Sequence, residues 1–289
     1  MTYKSILVPF TGDPGSDAAL DTALKVAQDF DSSIELLHVQ IDPVMALAGM
    51  GEGLAGATAG QVIESAEAAA EAKAVEARKL AEQSCRAAGW NLADANGAAA
   101  GERTAVWRKV VGRENEEIAR RGRLSDLIVA PTPEHDESSA ISGQVAAALF
   151  DTGRPVLIAP GKAPEAVGGK VAVAWNGSRE AAVSVAAALP FILGAEKVVV
   201  ICDDSQPKED REGNDLLPYL ARHGVAAERV GVPENGRSIG ERLVYAAVTA
   251  GAELLVMGAY GHSRFRELVL GGATLGAFRH TTIPLLMAH

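Results

Sequence analysis

The sequence predicts a doubly wound α/β fold built twice in tandem. Two observations carry this. The same order of elements recurs in both halves of the 289 residues, and within each half short apolar runs alternate with helix-period stretches. The Gly/Pro-rich run "GKAPEAVGG" at 161–169 separates the copies, which predicts a first domain at 1–162, a linker at 163–169 and a second domain at 170–289.

Taken in order, "SILVPFTGDPGSDAALDTALKVAQDF" reads as strand, Gly/Pro turn and helix, and "KVAVAWNGSREAAVSVAAALPFIL" repeats that grammar. "SSIELLHVQ" and "EKVVVICDD" follow as β-branched runs suited to buried parallel strands. In the first copy a Gly/Ala segment, 46–60, reads as a loop, either a lid or a plain insertion. Residues 61–88 then predict one long surface helix with a weak apolar face of Val62, Ala66, Ala69, Leu80 and Cys85. "ENEEIARRGR" and "SIGERLVYAAVTA" are helical and precede matching strands, "LSDLIVAP" and "GAELLVMG". "GRPVLIAP" and "TIPLLMAH" close the two copies. Strands alternating with helices imply right-handed crossovers and a parallel sheet covered on both faces.

Composition narrows the function. With 27 Lys+Arg against 37 Asp+Glu the formal charge is −10, which disfavours nucleic acid and anionic membranes as partners. No run approaches the roughly 20 apolar residues of a membrane span, and the opening "MTYKSILVPF" is too short in apolar residues for a signal peptide, so a cytoplasmic protein is expected. Cys85 and Cys202 lie far apart without ligand-spaced neighbours, so neither a disulfide framework nor a metal site is expected.

The most informative stretch is "MGAYGHSRFRELVLGGAT", 257–274. Gly258 and Gly261 let the backbone turn sharply off an apolar strand, and Gly271, Gly272, Ala273 and Thr274 open the next helix, whose free N–H groups suit an anion. In an open parallel sheet ligands bind beyond the carboxyl ends of the strands where strand order reverses. The stretch therefore reads as a phosphate cradle.

The spacing G-x2-G-x9-G carried by Gly258, Gly261 and Gly271 resembles the nucleotide-binding signature of the universal stress proteins. "ILVPF" and "VAVAW" as first strands, the fourth strands, and "RHTTIPLLMAH" at the close extend the resemblance over essentially the whole chain. It implies two tandem domains of Rossmann-like, adenine nucleotide α-hydrolase-like type, each a five-stranded parallel sheet with helices on both faces. It further implies pairing of the two domains through their fifth strands, with homodimerisation as a further level. The implied ligand is ATP, with or without magnesium, or another adenine nucleotide, and the implied role is regulatory, in the stress response.

Carried over residue by residue, the phosphates fall on the turn from Met257 through Gly258, Gly261 and His262 to Gly271–Thr274, and the nucleoside falls near Ala174, Trp175, Asn176 and Asp203. The signature ends in Ser or Thr, where this chain has Gly272; the acid common after the first strand is Asn176, which still bonds hydroxyls. Asp203 stands where an apolar residue is usual, and reads as a base contact or an exposed loop carboxylate. Trp175 reads as a stacking ring or a core aromatic, and Arg264 as a phosphate contact or a solvated charge. No partner can be placed beside His262 to make it a general base, so no catalytic residue is assigned. The first copy has Pro131 and Pro133 where the cradle needs glycines, followed by Glu134, His135, Asp136 and Glu137, so a degenerate site is expected there. A nucleotide-binding regulator, a slow ATPase and a ligand-free dimerisation scaffold all remain compatible with these residues.

Overall fold

The computed structural model describes residues 2–42, 57–95, 103–133, 143–203, 215–232, 234–259 and 272–289. The first half contains β1 (Ser5–Pro9), α1 (Pro14–Phe30), β2 (Ser33–Gln40), α2 (Ala57–Ala87), β3 (Asn91–Asp94), β4 (Thr104–Val111), α3 (Glu114–Gly122), β5 (Leu127–Pro131), α4 (Gly143–Asp151) and β6 (Val156–Ala159). The second contains β7 (Lys170–Ala174), α5 (Arg179–Gly194), β8 (Lys197–Asp203), α6 (Leu216–Arg222), β9 (Ala227–Val232), α7 (Ile239–Thr249), β10 (Leu254–Gly258), α8 (Gly272–His280) and β11 (Leu285–Ala288). All eleven strands lie in one sheet, in the order β3-β4-β2-β1-β5-β6-β11-β10-β7-β8-β9. Every pairing is parallel except β6 with β11, where Leu157 faces Leu286 across the centre.

Helices cover both faces, as the alternation of elements requires. One apolar cluster joins α1, α2 and α5 to the sheet, and the other joins α3, α4, α7 and α8 to its opposite face. Each cluster draws on both halves. Local chemistry starts the helices: the Asp13 carboxylate accepts from Ser16 N at 2.7 Å with Pro14 following, Ser178 Oγ accepts from Ala181 N at 3.1 Å, and Ser238 Oγ accepts from Glu241 N at 3.2 Å.

Two sequence expectations need correction. The first half carries a sixth strand, β3, outside β4. Its "NLAD" has a single large apolar residue and so carries no strand signature; pairing with β4, Leu92 packed against the core and the Arg78–Asp94 ion pair at 2.6 Å hold it. The long helix also begins earlier than position 61 and buries a different stripe, Ala74, Ala77, Ala81 and Cys85, while Val62 and Ala69 are exposed. The stripe is made of small residues because α2 runs close to the β1–α1 turn. A Cβ on Gly12, whose φ is +88°, would stand 2.8 Å from Ala77 Cβ. Burial pushes the Cys85 thiol up to about 12, leaving it protonated and unreactive at neutral pH.

His38 on β2 gives a pH prediction. Its Nδ1 donates to the Phe10 carbonyl at 2.8 Å and its ring stacks on Trp107 at 5.4 Å between centroids. Burial, with the nearby Lys109 ammonium, holds its pKa below the ordinary 6.5 despite the Phe10 bond. A depressed histidine means that the unfolded chain binds the proton first. The contribution is complete above about pH 6.5 and is lost as pH falls through that value towards the depressed one. Urea unfolding between pH 7.5 and 5.5 should therefore show a shallower loss of stability in His38→Asn than in the parent. Equal slopes would mean that His38 binds protons alike in both states.

Candidate functional site

The carboxyl edge of the second half is where the sheet changes direction of winding. β7 pairs β8 on one side and β10 on the other, with Ala174 beside Ile201 and Val173 beside Val256. The chain leaves β7 for α5 on one face, and α8, which follows β10, packs on the opposite face. Such a point leaves a crevice between the two departing connections.

At the β7 end, Ala174 is buried and contributes backbone only. Trp175 N donates to Ile201 O at 2.9 Å, and its half-buried ring packs on the α5-side cluster. Its indole Nε1 is buried without a partner among the described residues. Asn176 is exposed, and its Oδ1 accepts from Ser178 N at 3.1 Å, closing a turn over Gly177, whose φ is +71°.

Asp203, at the end of β8, is not an unpaired loop carboxylate. Arg242 Nη1 and Nη2 donate to its Oδ1 and Oδ2 at 3.1 and 3.4 Å. Arg242 is 4% exposed and also ion-pairs with Glu234 at 3.1 Å. Neither Arg242 nor Glu234 stands out in a reading by motif. One signal does exist: Arg242 lies three residues after Ile239, inside the apolar stripe that continues through Leu243, Val244 and Ala247, and a charge in such a stripe asks for a buried partner.

At the β10 end, Met257 is buried on the α7–α8 face. Gly258 has a neighbour already. A Cβ there would stand 2.6 Å from Ala181 N and 2.8 Å from the Glu180 carbonyl carbon, so the first turn of α5 packs directly against Gly258. Gly261, His262, Arg264 and Gly271 lie outside the described residues. Gly272 is exposed at the start of α8 with nothing within 4 Å of its Cβ position, Ala273 is half-buried, and Thr274 is buried. The structure thus brings Asn176, Gly258, Gly272 and Ala273 to one edge, and gives Gly258 a packing role.

That role makes a direct prediction. Gly258→Ala should destabilise the protein by about 1–3 kcal/mol, because the added methyl meets helix backbone rather than a flexible side chain. Thermal unfolding without nucleotide is the measurement. A variant as stable as the parent would return Gly258 to the role of a ligand-facing glycine.

In the first half the equivalent edge is differently built. Pro131 ends β5, and its Cβ would stand 3.3 Å from a Cβ on Gly15. Gln144 Nε2, in the first turn of α4, donates to Glu114 Oε1 at 2.7 Å, and burial, with Asp13 nearby, raises the Glu114 carboxyl above its ordinary range. Residues 134–140 lie outside the described residues, His135 among them. No group of three or more metal-ligating side chains occurs among the described residues, and no helix there is long and apolar enough to cross a membrane.

The model of the universal stress protein family matches residues 2–160. A universal stress protein from Archaeoglobus fulgidus superimposes with a TM-score of 0.69 at 15% identity, covering 100% of this chain and 99% of that one. A functionally unknown protein from Pseudomonas aeruginosa superimposes with a TM-score of 0.52 at 15% identity, covering 99% and 92%. No curated protein sequence matches the chain. Likeness at such identities is likeness of fold.

Proposed function

The chain belongs to the universal stress protein family, and on that premise we propose that its second half binds ATP or a related adenine nucleotide in a regulatory, stress-response role. The observation that carries the reading is the carboxyl edge where strand order reverses between β7 and β10, with β10 ending at Gly258 and α8 starting at Gly272. The spacing of Gly258, Gly261 and Gly271 falls, in sequence, between the end of β10 and the start of α8, whose N-terminal N–H groups suit an anion. Asn176 is exposed at the same edge and available to ribose hydroxyls. Residues 1–162 form the partner domain of this arrangement, joined by 163–169. The family match falls on that half, which lacks the glycine spacing, so the ligand reading rests on the second half alone.

The test is to purify the protein, identify co-eluting nucleotide by mass spectrometry, and titrate ATP with and without magnesium. Retained or submillimolar adenine nucleotide that Gly261→Trp abolishes is the expected result. No binding at millimolar ATP would sink the reading. The alternative of a ligand-free scaffold is favoured by one observation, the first turn of α5 packed on Gly258, which explains one glycine of the signature without a ligand.

A further inference from the structure

Among the described residues of the second half, one buried guanidinium, that of Arg242, has incomplete bonding. The end-on edge of Arg242, Nη1 and Nη2, is filled by Asp203, and Nη1 also lies 3.5 Å from the Val232 carbonyl oxygen. The side edge is not filled. Nη2 ion-pairs with Glu234 Oε2 at 3.1 Å, while Nε, buried in a side chain 4% exposed, has no partner among the described residues. The Nε–Nη2 edge of a guanidinium is a two-pronged fork shaped for two oxygens of one oxyanion. Glu234 engages one prong, because its other oxygen accepts from Gly236 N at 3.1 Å.

The two carboxylates differ in attachment. Asp203 ends β8, a strand paired on both sides, its side chain is 31% exposed, and its fork ties β8 to α7. Glu234 follows β9 and its side chain is 57% exposed. The position also matters: Gly240 and Gly276 bring the N-terminal parts of α7 and α8 into backbone contact, so Arg242 stands near the start of α8.

We infer that the Nε–Nη2 edge of Arg242 is an oxyanion subsite for a phosphoryl group, and that Glu234 fills it in the free protein as a displaceable internal anion. Asp203 stays in place and keeps the guanidinium oriented. A phosphoryl group satisfies both prongs where Glu234 satisfies one, and exchange of one anion for the other leaves the buried cation paired throughout. The subsite rests on the nucleotide reading only for the source of the phosphoryl group, which is either a nucleotide or free phosphate.

The experiment is equilibrium dialysis of the full chain against inorganic phosphate, ATP and adenosine. Glu234→Ala should tighten phosphate and ATP by roughly two- to tenfold, the scale of releasing one partly exposed ion pair, and leave adenosine unchanged. Arg242→Lys added to Glu234→Ala should remove the gain. Glu241→Gln removes the same charge one residue from Arg242 and should leave phosphate affinity unmoved. Should the lysine variant fail to fold, the alanine and glutamine variants decide the matter together. A gain for phosphate with no ATP binding keeps the subsite and ends the nucleotide reading. ATP bound by the parent but unmoved by Glu234→Ala, or moved equally by Glu241→Gln, ends the subsite and keeps the nucleotide reading. No binding of phosphate or ATP by any form ends both.

Discussion

Replacing Phe191 by alanine should lower stability by about 3–5 kcal/mol, the range for deleting a buried aromatic, and should do so for both halves together. Phe191 belongs to α5 of the second half and is buried. Its ring meets Phe30 edge-on at 4.9 Å and Tyr3 at 5.4 Å, both from the first half, and those two rings meet edge-on at 5.2 Å. Tyr3 Oη donates to the Ala187 carbonyl at 2.6 Å, tying β1's approach to α5. Gly168 completes the fit: its φ is +88° and a Cβ there would stand 2.6 Å from Phe191 Cδ1. Loss of the ring leaves a cavity on the seam between the halves and removes aromatic contacts worth about 0.5–1.5 kcal/mol each beyond burial. Urea unfolding read by fluorescence of Trp90 and Trp107 in the first half and Trp175 in the second should show one transition moved to lower denaturant. A loss confined to the Trp175 signal, or below about 1 kcal/mol against that range, would mean that the rings touch without joining the halves.

The second large effect is expected at Gly240. Helix propensity alone favours Gly→Ala by about 0.8–1.0 kcal/mol. Tertiary contact reverses that sign, because a Cβ on Gly240 would stand 2.1 Å from the Ala273 carbonyl oxygen and 2.6 Å from Ala277 N. Backbone has nowhere to rotate. Gly240→Ala must push α7 away from α8, at a cost of about 3 kcal/mol, the upper end of ordinary overpacking. Because α8 begins at Gly272, the displacement should also weaken any ATP binding. Gly194, the last residue of α5, has nothing within 4 Å of its Cβ position, so Gly194→Ala should be neutral or slightly stabilising. Thermal midpoints of the two variants separate crowding from propensity. A Gly240→Ala protein that melts with the parent would show that the two helices slide freely.

These two positions also mark how far residues alone can be read. Phe191 looks like any apolar residue of a helix that contains Pro190, and Gly240 looks like a weakness just inside an N-cap. Their importance comes from elements distant in the chain. The same is true of Asp203, whose guanidinium partner is 39 residues away, and of Gly258, whose neighbour is the start of α5. Sequence spacing points to a phosphate at the Gly258 backbone, and packing also sets the start of α5 against it.

What the sequence determined by itself is the double α/β architecture, the parallel strands at the two cores and the capped starts of α1, α5 and α7. Those features follow from short-range causes: β-branched runs, apolar periodicity, and Asp or Ser side chains that bond N–H groups three residues on. Tertiary structure alone decided the sixth strand β3, the alanine stripe of α2, the aromatic seam and the Arg242 cluster. Each depends on which surfaces approach closely enough for a methyl group or one unpaired N–H to matter. Close packing sets that approach at distances of a few tenths of an ångström, and no local pattern in a chain encodes so fine a distance.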